Sequence, residues 1–457
     1  MPVRERQIAI SIPNFASMEI NDISIREILT RLQIDSLNEM QLAGLEAFRQ
    51  HDDLILFADT GSGKTLAFLI PLLESIDEKN NSTQALIIVP SRELALQIEQ
   101  VFKKTGAGFK VSCCYGGHKR EIEENNLKEA PLLIIGTPGR IADHLRRGNI
   151  KTESIRVLVL DEFDKSLELG FEEEMSFILG SLKNLKKKML TSATGNLDIP
   201  GFAGLEKPYT LNFLSDRIRD SLSLEIVRSE IKDKTETLFR LICHIGDRSA
   251  IVFCNHRESV ERTSQFLKEK GILNVFYHGA LEQPDRDLAL CKFRNGSADI
   301  LVTTDLAARG LDIPNIRYII HYQLPLNEES YIHRSGRTAR MEASGTVILI
   351  LSPEENLPGY ITRDYAEISL PRQAIVPDKP KWVTLYIAAG KKDKINKIDI
   401  VGFLANQGRL KKEDIGLIEV KDFCSFAAVR RSRVGQAIEL IKNKKIKNKK
   451  VRIDLAK

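Results

Sequence analysis

Short apolar runs alternate with helix-forming stretches through residues 54–351, and this alternation constrains the fold more than any other feature. Strands that alternate with helices form parallel sheets through right-handed crossovers. The pattern therefore predicts two α/β lobes of similar size. The predicted strands are residues 54–58, 85–90, 132–137, 156–162 and 187–194 in the first lobe, and 250–255, 274–279, 299–305, 317–323 and 345–351 in the second.

Breaks in composition divide the rest of the chain. A polar, charged stretch at 215–234 separates the two lobes, and residues 371–381 contain three prolines, which is typical of a linker. The pattern that follows is roughly βαββαβ, as in ferredoxin-like or RNA-recognition-type folds. We therefore expect lobe 1 at 1–214, lobe 2 at 215–370, a linker at 371–381 and a small α+β domain at 382–457.

Composition excludes several classes of protein. The 457 residues are too many for one hydrophobic core, and 42% hydrophobic with 28% charged residues is typical of a soluble globular chain. No apolar run approaches the roughly 18 residues of a membrane-spanning helix, and the first ten residues lack a signal-peptide core. Six cysteines without a CxxC pair indicate neither a zinc site nor a disulfide framework. We expect a cytoplasmic protein without a membrane partner.

Positive charge is concentrated at the end of the chain. Residues 381–457 hold 20 Lys and Arg against 8 Asp and Glu, whereas the preceding residues hold 47 against 54. A segment with a net charge of +12 on a body of −7 is suited to a polyanion. This asymmetry predicts that the C-terminal domain binds an anionic partner.

The octet ADTGSGKT (58–65) follows a predicted strand and precedes a helical stretch. Glycines there let successive backbone N–H groups point inward at a phosphate, and the start of the helix adds its positive dipole end. Lys64 is predicted to reach the β- and γ-phosphates, and Thr65 to offer its hydroxyl to Mg²⁺. The strict pattern has glycine where Ala58 stands, so a glycine-rich turn that caps an ordinary helix remains the alternative. The predicted nucleotide-binding residues are Asp59, Thr60, Gly61, Ser62, Gly63, Lys64 and Thr65.

The acids of LVLDEFD (158–164) follow another predicted buried strand. Clustered carboxylates repel one another unless a positive group lies between them, and a strand-end aspartate downstream of a phosphate loop commonly holds Mg²⁺. Asp161 is predicted to position the metal, and Glu162 to orient and deprotonate the attacking water. Asp164 is left for coupling contacts. A solvated strand end or a helix cap is the alternative for such a cluster.

The segment HRSGRTAR (333–340) carries three arginines. A hydrolase needs positive charge opposite the γ-phosphate, and an arginine finger accelerates turnover by about 10³ to 10⁵. Arg337 and Arg340 are the predicted fingers, so hydrolysis is expected to require closure of the lobes. The alternative is an Arg-rich helix start that binds bulk anions.

These motifs occur in the order typical of one family, and residues 15–350 resemble a DEAD-box ATP-dependent RNA helicase. The resemblance implies two tandem RecA-like lobes of the P-loop NTPase class, with ATP and Mg²⁺ as cofactors. Further matching segments are PSRELALQ (90–97), GG (116–117), TPGR (137–140), SAT (192–194), HGALEQPDR (278–286) and TTDLAARGLD (303–312).

The resemblance also implies roles for individual residues. Phe15 would stack on adenine, Gln41 would bond the edge of the base, and Asp305 would contact the ribose. Asp164, Ser192, Thr194 and His333 would couple hydrolysis to unwinding. The implied RNA contacts are Arg92, Gly117, Thr137, Gly139, Arg140, Gly279, Gln283, Arg286 and Thr303.

Four departures from the family pattern leave every catalytic group in place. Phe163 replaces alanine in DEAD, which predicts altered packing beneath Asp164. The stretch before Gln41 lacks the usual glycine and proline, Ala339 replaces a glycine and Gln323 an aspartate.

The C-terminal residues 382–455 resemble the RNA-binding domain of DbpA-like helicases, an RRM-like fold that docks there on a hairpin of large-subunit ribosomal RNA. Phe423 and Phe426 flank a strand-like run where a base could stack. The alternative is that these aromatics are core and the lysines a solvated turn. The predicted phosphate contacts are Lys391, Lys392, Lys394, Arg430, Arg431 and Arg433.

The sequence thus predicts a monomeric ATP-dependent RNA helicase that separates short duplexes. Its C-terminal domain would bind 23S-type ribosomal RNA in the pre-ribosomal large subunit. Two rival functions remain at this point: a P-loop motor that acts on DNA, and an RNA clamp that binds ATP without turning it over.

Overall fold

The chain divides into two units, Met1–Ser215 and Asp216–Lys457. Its structure is a computed structural model that describes residues 19–20, 23–59, 61–117, 119–195, 198–214, 222–305, 316–337, 345–442, 444–447 and 449–456. The predicted site residues Phe15, Thr60 and Arg340 lie outside the described residues, as does Ala339.

The first unit contains a seven-stranded parallel sheet with the order β5-β6-β4-β7-β8-β3-β9. The short strands β1 (Glu19–Ile20) and β2 (Ile23–Ser24) pair with each other ahead of it. The sheet strands are β3 (Asp53–Ala58), β4 (Ala85–Ile88), β5 (Val111–Cys114), β6 (Leu133–Gly136), β7 (Val157–Leu160), β8 (Lys187–Ser192) and β9 (Tyr209–Phe213).

Helices cover both faces of this sheet. Strand β3 shows why: Leu54 and Leu56 enter one hydrophobic cluster while Ile55 and Phe57 enter the other. A strand buried on both faces is apolar throughout, as parallel strands are. The helices described in this unit are α1 (Ile25–Leu32), α2 (Glu39–Gln50), α3 (Lys64–Glu74), α4 (Arg92–Thr105), α5 (Arg120–Leu127), α6 (Pro138–Arg146), α7 (Phe163–Glu168) and α8 (Glu172–Ser181).

The order of strands brings the predicted chemistry together. Strands β7, β8 and β3 are neighbours, and their carboxyl ends lead into DEFD, SAT and the phosphate loop, respectively. Ligands of open parallel sheets bind outside the carboxyl ends of the strands. The three segments therefore meet at the edge where a nucleotide site is expected.

The second unit contains another seven-stranded parallel sheet with the order β12-β13-β11-β14-β15-β10-β16. Its strands are β10 (Leu222–Arg228), β11 (Ala250–Cys254), β12 (Asn274–Tyr277), β13 (Ile300–Thr304), β14 (Tyr318–His321), β15 (Gly345–Leu351) and β16 (Ala366–Glu367). The helices described beside it are α9 (Thr235–Ile245), α10 (Arg257–Glu269), α11 (Gln283–Arg294) and α12 (Glu328–Ser335). We call this part lobe 2.

The same unit ends in a small antiparallel sheet with the order β18-β19-β17-β22. One face of this sheet packs on two helices around Leu385, Ala427 and Val429. Its elements are β17 (Trp382–Ile387), α13 (Lys397–Asn406), β18 (Ile415–Val420), β19 (Ser425–Arg430), α14 (Arg431–Ile441), a hairpin of β20 (Lys445–Ile446) and β21 (Lys449–Lys450), and β22 (Ile453–Leu455). Two parallel-sheet lobes and a small α+β domain confirm the predicted fold class.

Among the described residues, we find no helix with both the length and the apolar character that crossing a membrane requires.

Candidate functional site

The phosphate loop turns sharply between β3 and α3. Gly61 and Gly63 have φ values of 85° and 93°, in the left-handed region that favours glycine. A Cβ at Gly63 would lie 2.5 Å from Gln41 Nε2, so a side chain there would collide with its neighbour. The loop therefore depends on glycine at this position for both conformation and space.

Lys64 is buried at the first position of α3, with Thr65 half-buried beside it. The ammonium donates to the carbonyl oxygens of Ala58 at 2.5 Å and Asp59 at 3.0 Å. Burial lowers the pKa of Lys64, and the carboxylates of Asp161 and Glu162 partly oppose that shift. The cation is thus held inside the loop where an anionic ligand would relieve its desolvation.

Gln41 links the phosphate loop to helix α2. It forms a capping box with Asn38, in which each side chain accepts from the other residue's backbone N–H. Its Nε2 donates to the Gly63 carbonyl at 3.1 Å, and Asn38 Nδ2 donates to the Ser62 carbonyl at 3.0 Å. The capping box therefore fixes the segment before Gln41, which lacks the glycine and proline that the resembling family usually has there.

Asp161 and Glu162 form the corner between β7 and α7. Asp161 is buried, and its Oδ1 accepts from the Thr191 hydroxyl and from the Glu162 N–H at 3.1 Å. Burial raises the pKa of Asp161, while Thr191 and Lys64 favour its charged form. Glu162 adopts φ 49° and ψ 50°, a left-handed conformation that is uncommon for a residue with a side chain.

Asp164 and the SAT segment are in direct contact. The Thr194 hydroxyl donates to Asp164 Oδ2 at 3.2 Å, and the Ser192 Oγ accepts from the Thr194 N–H at 3.0 Å. Lys165 Nζ lies 3.6 Å from the same Asp164 oxygen. The structure therefore brings together three of the four residues predicted to couple hydrolysis to unwinding.

Phe163, which directly follows Glu162 in the sequence, is a residue of the hydrophobic core. Its ring is fully buried in the hydrophobic cluster on one face of the sheet and lies 6.4 Å from the ring of Phe202. Phe163 is therefore a core residue, and altered packing beneath Asp164 stays a prediction.

The predicted RNA contacts of the first unit are organised by a buried carboxylate, Glu123. Its Oε1 accepts from the Tyr115 N–H at 2.8 Å. Its Oε2 accepts from Arg140 at 2.9 Å and lies 2.7 Å from His144 Nε2. The carboxylate thus ties the strand that precedes Gly117 to the helix that begins after Thr137 and carries Gly139 and Arg140.

Glu123 and Arg140 form an ion pair at 2.9 Å in this cluster. Cys114 lies close enough to Glu123 and His144 to suggest three metal ligands. Burial, however, raises the pKa of the Cys114 thiol well above its usual range, which favours the neutral form over the thiolate that binds metals. Arg140 already supplies positive charge to the carboxylate.

We expect Glu123→Ala to destabilise the first unit by about 3–5 kcal/mol, because removing one partner of a buried ion pair leaves the other charge uncompensated. Chemical denaturation of the full chain measures the effect. Glu121→Ala is the matched control, since Glu121 is exposed on the same helix. Equal midpoints for the two variants would contradict this role for Glu123.

Arg92 begins α4, and its guanidinium lies over the Tyr115 ring at 4.7 Å from the centroid. Gly117 has a φ of 90°, and Gly139 has open space where a Cβ would be. Arg92 thus contacts the ring of Tyr115, whereas Glu123 accepts from the Tyr115 backbone N–H.

In lobe 2, Asp305 is held by an arginine that the sequence analysis did not single out. Arg334 is fully buried, and its guanidinium donates to both Asp305 oxygens. It also donates to the Gln323 carbonyl and to Asn255 Oδ1, each at 2.7 Å. Gln323, which stands where the family has aspartate, accepts from the Asn255 N–H at 2.7 Å. Arg334 therefore positions Asp305 by joining the ends of three strands.

The other predicted residues of lobe 2 lie near these strand ends or on nearby helices. Thr303 is buried, and its hydroxyl donates to the Tyr277 carbonyl at 2.8 Å. Gln283 and Arg286 are half-buried on the first turn of α11, and Gly279 is exposed. His333 and Arg337 are both buried, one inside α12 and the other just after it.

The predicted phosphate contacts of the C-terminal domain fall into two groups. Lys391, Lys392 and Lys394 are exposed on the loop after β17, and Arg433 is exposed on α14. The guanidinium of Arg431, by contrast, donates to the carbonyl oxygens of Pro380 and Trp382. Arg430 lies 3.3 Å from Asp414. The three lysines and Arg433 are the group that is open to a polyanion.

The phosphate loop and its neighbouring acids fit ATP and Mg²⁺. Gly61 and Gly63 form a left-handed turn in which a Cβ at Gly63 would be obstructed, and the charge of the buried Lys64 is favoured by four nearby carboxylates. Thr65 and Asp161 carry oxygen atoms of the hard type that Mg²⁺ prefers as ligands.

Sequence reasoning missed Glu123 and Arg334. Glu123 has a weak signal, because it precedes the buried Leu127 by one helical turn and an acid on an apolar face needs a partner. Arg334 is one of three arginines in a short segment, and only the fold separates it from the others.

Three family models match the chain. The DEAD/DEAH box helicase model matches residues 38–199, the helicase conserved C-terminal domain matches 233–342, and the DbpA RNA binding domain matches 384–455. Together they account for both lobes and the small α+β domain.

Relatives and solved structures agree with these matches. The chain is 33% identical over 453 residues to ATP-dependent RNA helicase DbpA of Escherichia coli K12, covering 95% of this chain and 99% of that one. It is 30% identical to ATP-dependent RNA helicase DbpA of Bacillus subtilis 168, with 92% and 94% covered.

Mss116p bound to ssRNA and AMP-PNP shares the fold with a TM-score of 0.63 and 29% identity, covering 72% of each chain. Saccharomyces cerevisiae Dbp5 bound to RNA and ADP BeF3 has the same fold, with a TM-score of 0.65 and 24% identity over 75% of this chain and 93% of that one. With family models across both lobes and DbpA relatives along nearly its whole length, the chain belongs to the DbpA-like DEAD-box ATP-dependent RNA helicases.

Proposed function

We propose that this RNA helicase separates short RNA duplexes within large-subunit ribosomal RNA and that its C-terminal domain tethers it there during assembly of the subunit. The observation that carries the proposal is the match of residues 384–455 to the DbpA RNA binding domain. The net charge of +12 on residues 381–457 supports it, because phosphate contacts need such an excess. The division into lobes at 1–214 and 215–370, the linker at 371–381, a cytoplasmic location and a monomeric state stay predictions.

ATP binding and hydrolysis are assigned to the residues of the phosphate loop and the DEFD corner. Lys64 would bind the β- and γ-phosphates, and Gln41 and Phe15 would bind adenine. Thr65 and Asp161 would hold Mg²⁺, which neutralises phosphate charge when bound. Glu162 would take a proton from the attacking water at its carboxylate, while Asp164, Ser192, Thr194 and His333 carry the change to the RNA contacts.

Charge on the transferred phosphoryl group requires further cations. We assign that role to Arg337 and Arg340 and the ribose contact to Asp305. Since Arg334 donates to both Asp305 oxygens, it orients the carboxylate for that contact. The alternative function, a clamp that binds RNA and ATP without unwinding, is not favoured, because the residues needed for turnover are all present in the sequence.

We expect replacement of Lys391, Lys392 and Lys394 together by alanine to weaken binding to a large-subunit ribosomal RNA fragment. Each phosphate contact contributes about 0.7–0.9 to the slope of log K against log salt, so losing three contacts should reduce that slope by about 2–3. Fluorescence anisotropy over a salt series measures both affinity and slope.

The matched control replaces three exposed lysines of the first unit, Lys104, Lys128 and Lys183. It removes the same charge from a surface that is not assigned to the tether. An equal loss of affinity in the control would show that only net charge matters. Equal affinity of the parent for ribosomal fragments and for unrelated RNA of the same length would overturn the tether.

A further inference from the structure

Phe423 is an exposed aromatic residue in the short turn 421–424 between β18 and β19. Its side chain is 66% exposed, whereas Phe426 on β19 is only 3% exposed and has its ring 5.9 Å from that of Tyr386. The structure therefore separates the two aromatics that the sequence offered for stacking. Phe426 is packed, and Phe423 presents most of its side chain to solvent.

The turn that carries Phe423 is fixed to the loop 391–394, which we call the lysine loop. The Lys391 N–H donates to the Lys421 carbonyl at 2.8 Å, and the next N–H of the lysine loop donates to the Asp422 carbonyl at 2.9 Å. A Cβ on Gly390 would collide with the same two carbonyl oxygens, so the backbones touch without room for a side chain. An aromatic side chain on such a fixed backbone loses little conformational entropy when it binds a ligand.

Positive charge predominates around this turn. All three lysines of the lysine loop are exposed. The acid within that loop, Asp393, is already paired, because Lys449 Nζ lies 2.8 Å from its carboxylate. The turn itself adds one exposed acid, Asp422. An anionic polymer that also carries aromatic groups is therefore the ligand that this surface suits.

The same turn lies beside the helix that carries predicted RNA contacts of lobe 2. Lys421 Nζ is 3.9 Å from Asp287 Oδ1 on α11, and Gln283 Nε2 donates to that oxygen at 3.2 Å. A ligand bound at Phe423 would therefore lie near residues that are predicted to contact the RNA.

We propose that Phe423 stacks on an unpaired base of the tethered RNA while the lysine loop binds the neighbouring phosphates. Bases of single-stranded RNA stack on aromatic rings, and cations beside the rings bind the backbone. A paired base is stacked inside its own helix and does not reach such a ring. The ligand is therefore a loop, a bulge or a frayed end. The inference rests on the proposed tether and adds the chemical group that the tether recognises.

The test compares Phe423→Ala and Phe423→Trp with the parent on a hairpin fragment of large-subunit ribosomal RNA. Fluorescence anisotropy is measured without nucleotide, because closure of the lobes on ATP is expected to add contacts elsewhere. Phe423→Ala should weaken binding by about 5- to 140-fold, the range for one stacked base. Phe423→Trp should bind at least as tightly as the parent, since its ring system is larger.

Salt dependence separates stacking from phosphate contacts. The ring carries no charge, so Phe423→Ala should keep the parent's slope of log K against log salt, whereas the triple lysine variant lowers that slope. A fully paired duplex of the same length should bind Phe423→Ala and the parent equally. An equal loss of affinity on the hairpin and on the duplex would overturn the proposal.

A direct measurement uses 2-aminopurine, a base analogue whose emission falls on stacking, at each loop position of the hairpin in turn. At one position or more, emission should fall on binding to the parent and to Phe423→Trp but not on binding to Phe423→Ala. If Phe423→Ala matches the parent in both affinity and emission, the exposed ring serves another kind of partner, such as a protein, and the proposal is wrong.

Controls keep the possible failures apart. Tyr365→Ala removes a 45% exposed aromatic of lobe 2 and should bind RNA as the parent does. Thermal unfolding should give Phe423→Ala the parent's midpoint, and Phe423→Leu, which keeps apolar bulk, should still bind more weakly than the parent.

A hairpin of unrelated sequence is the second probe, because every base has a π-face. Equal binding of both hairpins by the parent would reject the ribosomal tether. A loss in Phe423→Ala on both hairpins would still support stacking, and a loss on neither would overturn it.

Discussion

Arg337→Ala is expected to lower the turnover number of RNA-stimulated ATP hydrolysis by about 10³ to 10⁵, the range typical of arginine fingers. The guanidinium would neutralise charge that develops on the γ-phosphate during transfer, so its loss acts on the transition state more than on the bound nucleotide. We therefore expect a large fall in kcat with little change in the KM for ATP. Phosphate release at saturating RNA measures both.

The control for this prediction is Arg257→Ala, which removes an exposed arginine from the same lobe. It should leave kcat and KM as in the parent. A kcat for Arg337→Ala equal to that of the parent would remove Arg337 from the catalytic set and leave the finger role to Arg340.

Glu162→Gln is expected to lower kcat by about 10² to 10⁴, the usual contribution of a general base. The amide is nearly the same size as the carboxylate but does not accept a proton from water. Glu162 has a left-handed backbone immediately before α7. Glutamine has the same side-chain length as glutamate, so the substitution should leave the conformation of this corner unchanged. Binding of a fluorescent ATP analogue should persist while phosphate release is lost.

Glu173→Gln provides the comparison, since Glu173 is exposed in the first turn of the neighbouring helix α8. That variant should hydrolyse ATP as the parent does. Full activity in Glu162→Gln would mean that another group activates water, and the assignment of the base would have to be abandoned.

Local sequence located the turn between β3 and α3 and the corner between β7 and α7, whereas the roles of their residues stay predictions. Their residues are consecutive, and the chemistry of each motif depends on backbone turns that the motif itself encodes. Lys64 and Asp161 are accordingly found where the ends of two strands meet at the sheet edge. The alternation of strands and helices likewise predicted both parallel sheets, since it depends on periodicity alone.

Residues that act through distant partners could not be predicted in this way. The partners of Glu123 lie 8, 17 and 21 residues away, and Arg334 contacts Asp305 across 29 residues. Nothing in the local pattern of either residue specifies such a partner. Only the order of strands in each sheet decides which charges become neighbours.

The C-terminal domain shows the limit of counting charges. Its excess of lysine and arginine predicted an anionic partner, but the count does not distinguish a free cation from one that is already engaged. Arg431 is engaged by two backbone carbonyls, whereas Lys391 is exposed. Phe426 was considered as a stacking residue, yet it is buried, while Phe423 is 66% exposed.

The left-handed backbone at Glu162 has a consequence for the evolution of stability in this chain. Holding a residue with a Cβ in that conformation costs about 1–2 kcal/mol, a penalty from which glycine is exempt. A glycine at this corner would remove that penalty together with the carboxylate that we propose as the general base. Selection for higher stability would therefore favour glycine at position 162, whereas selection for faster hydrolysis would favour glutamate.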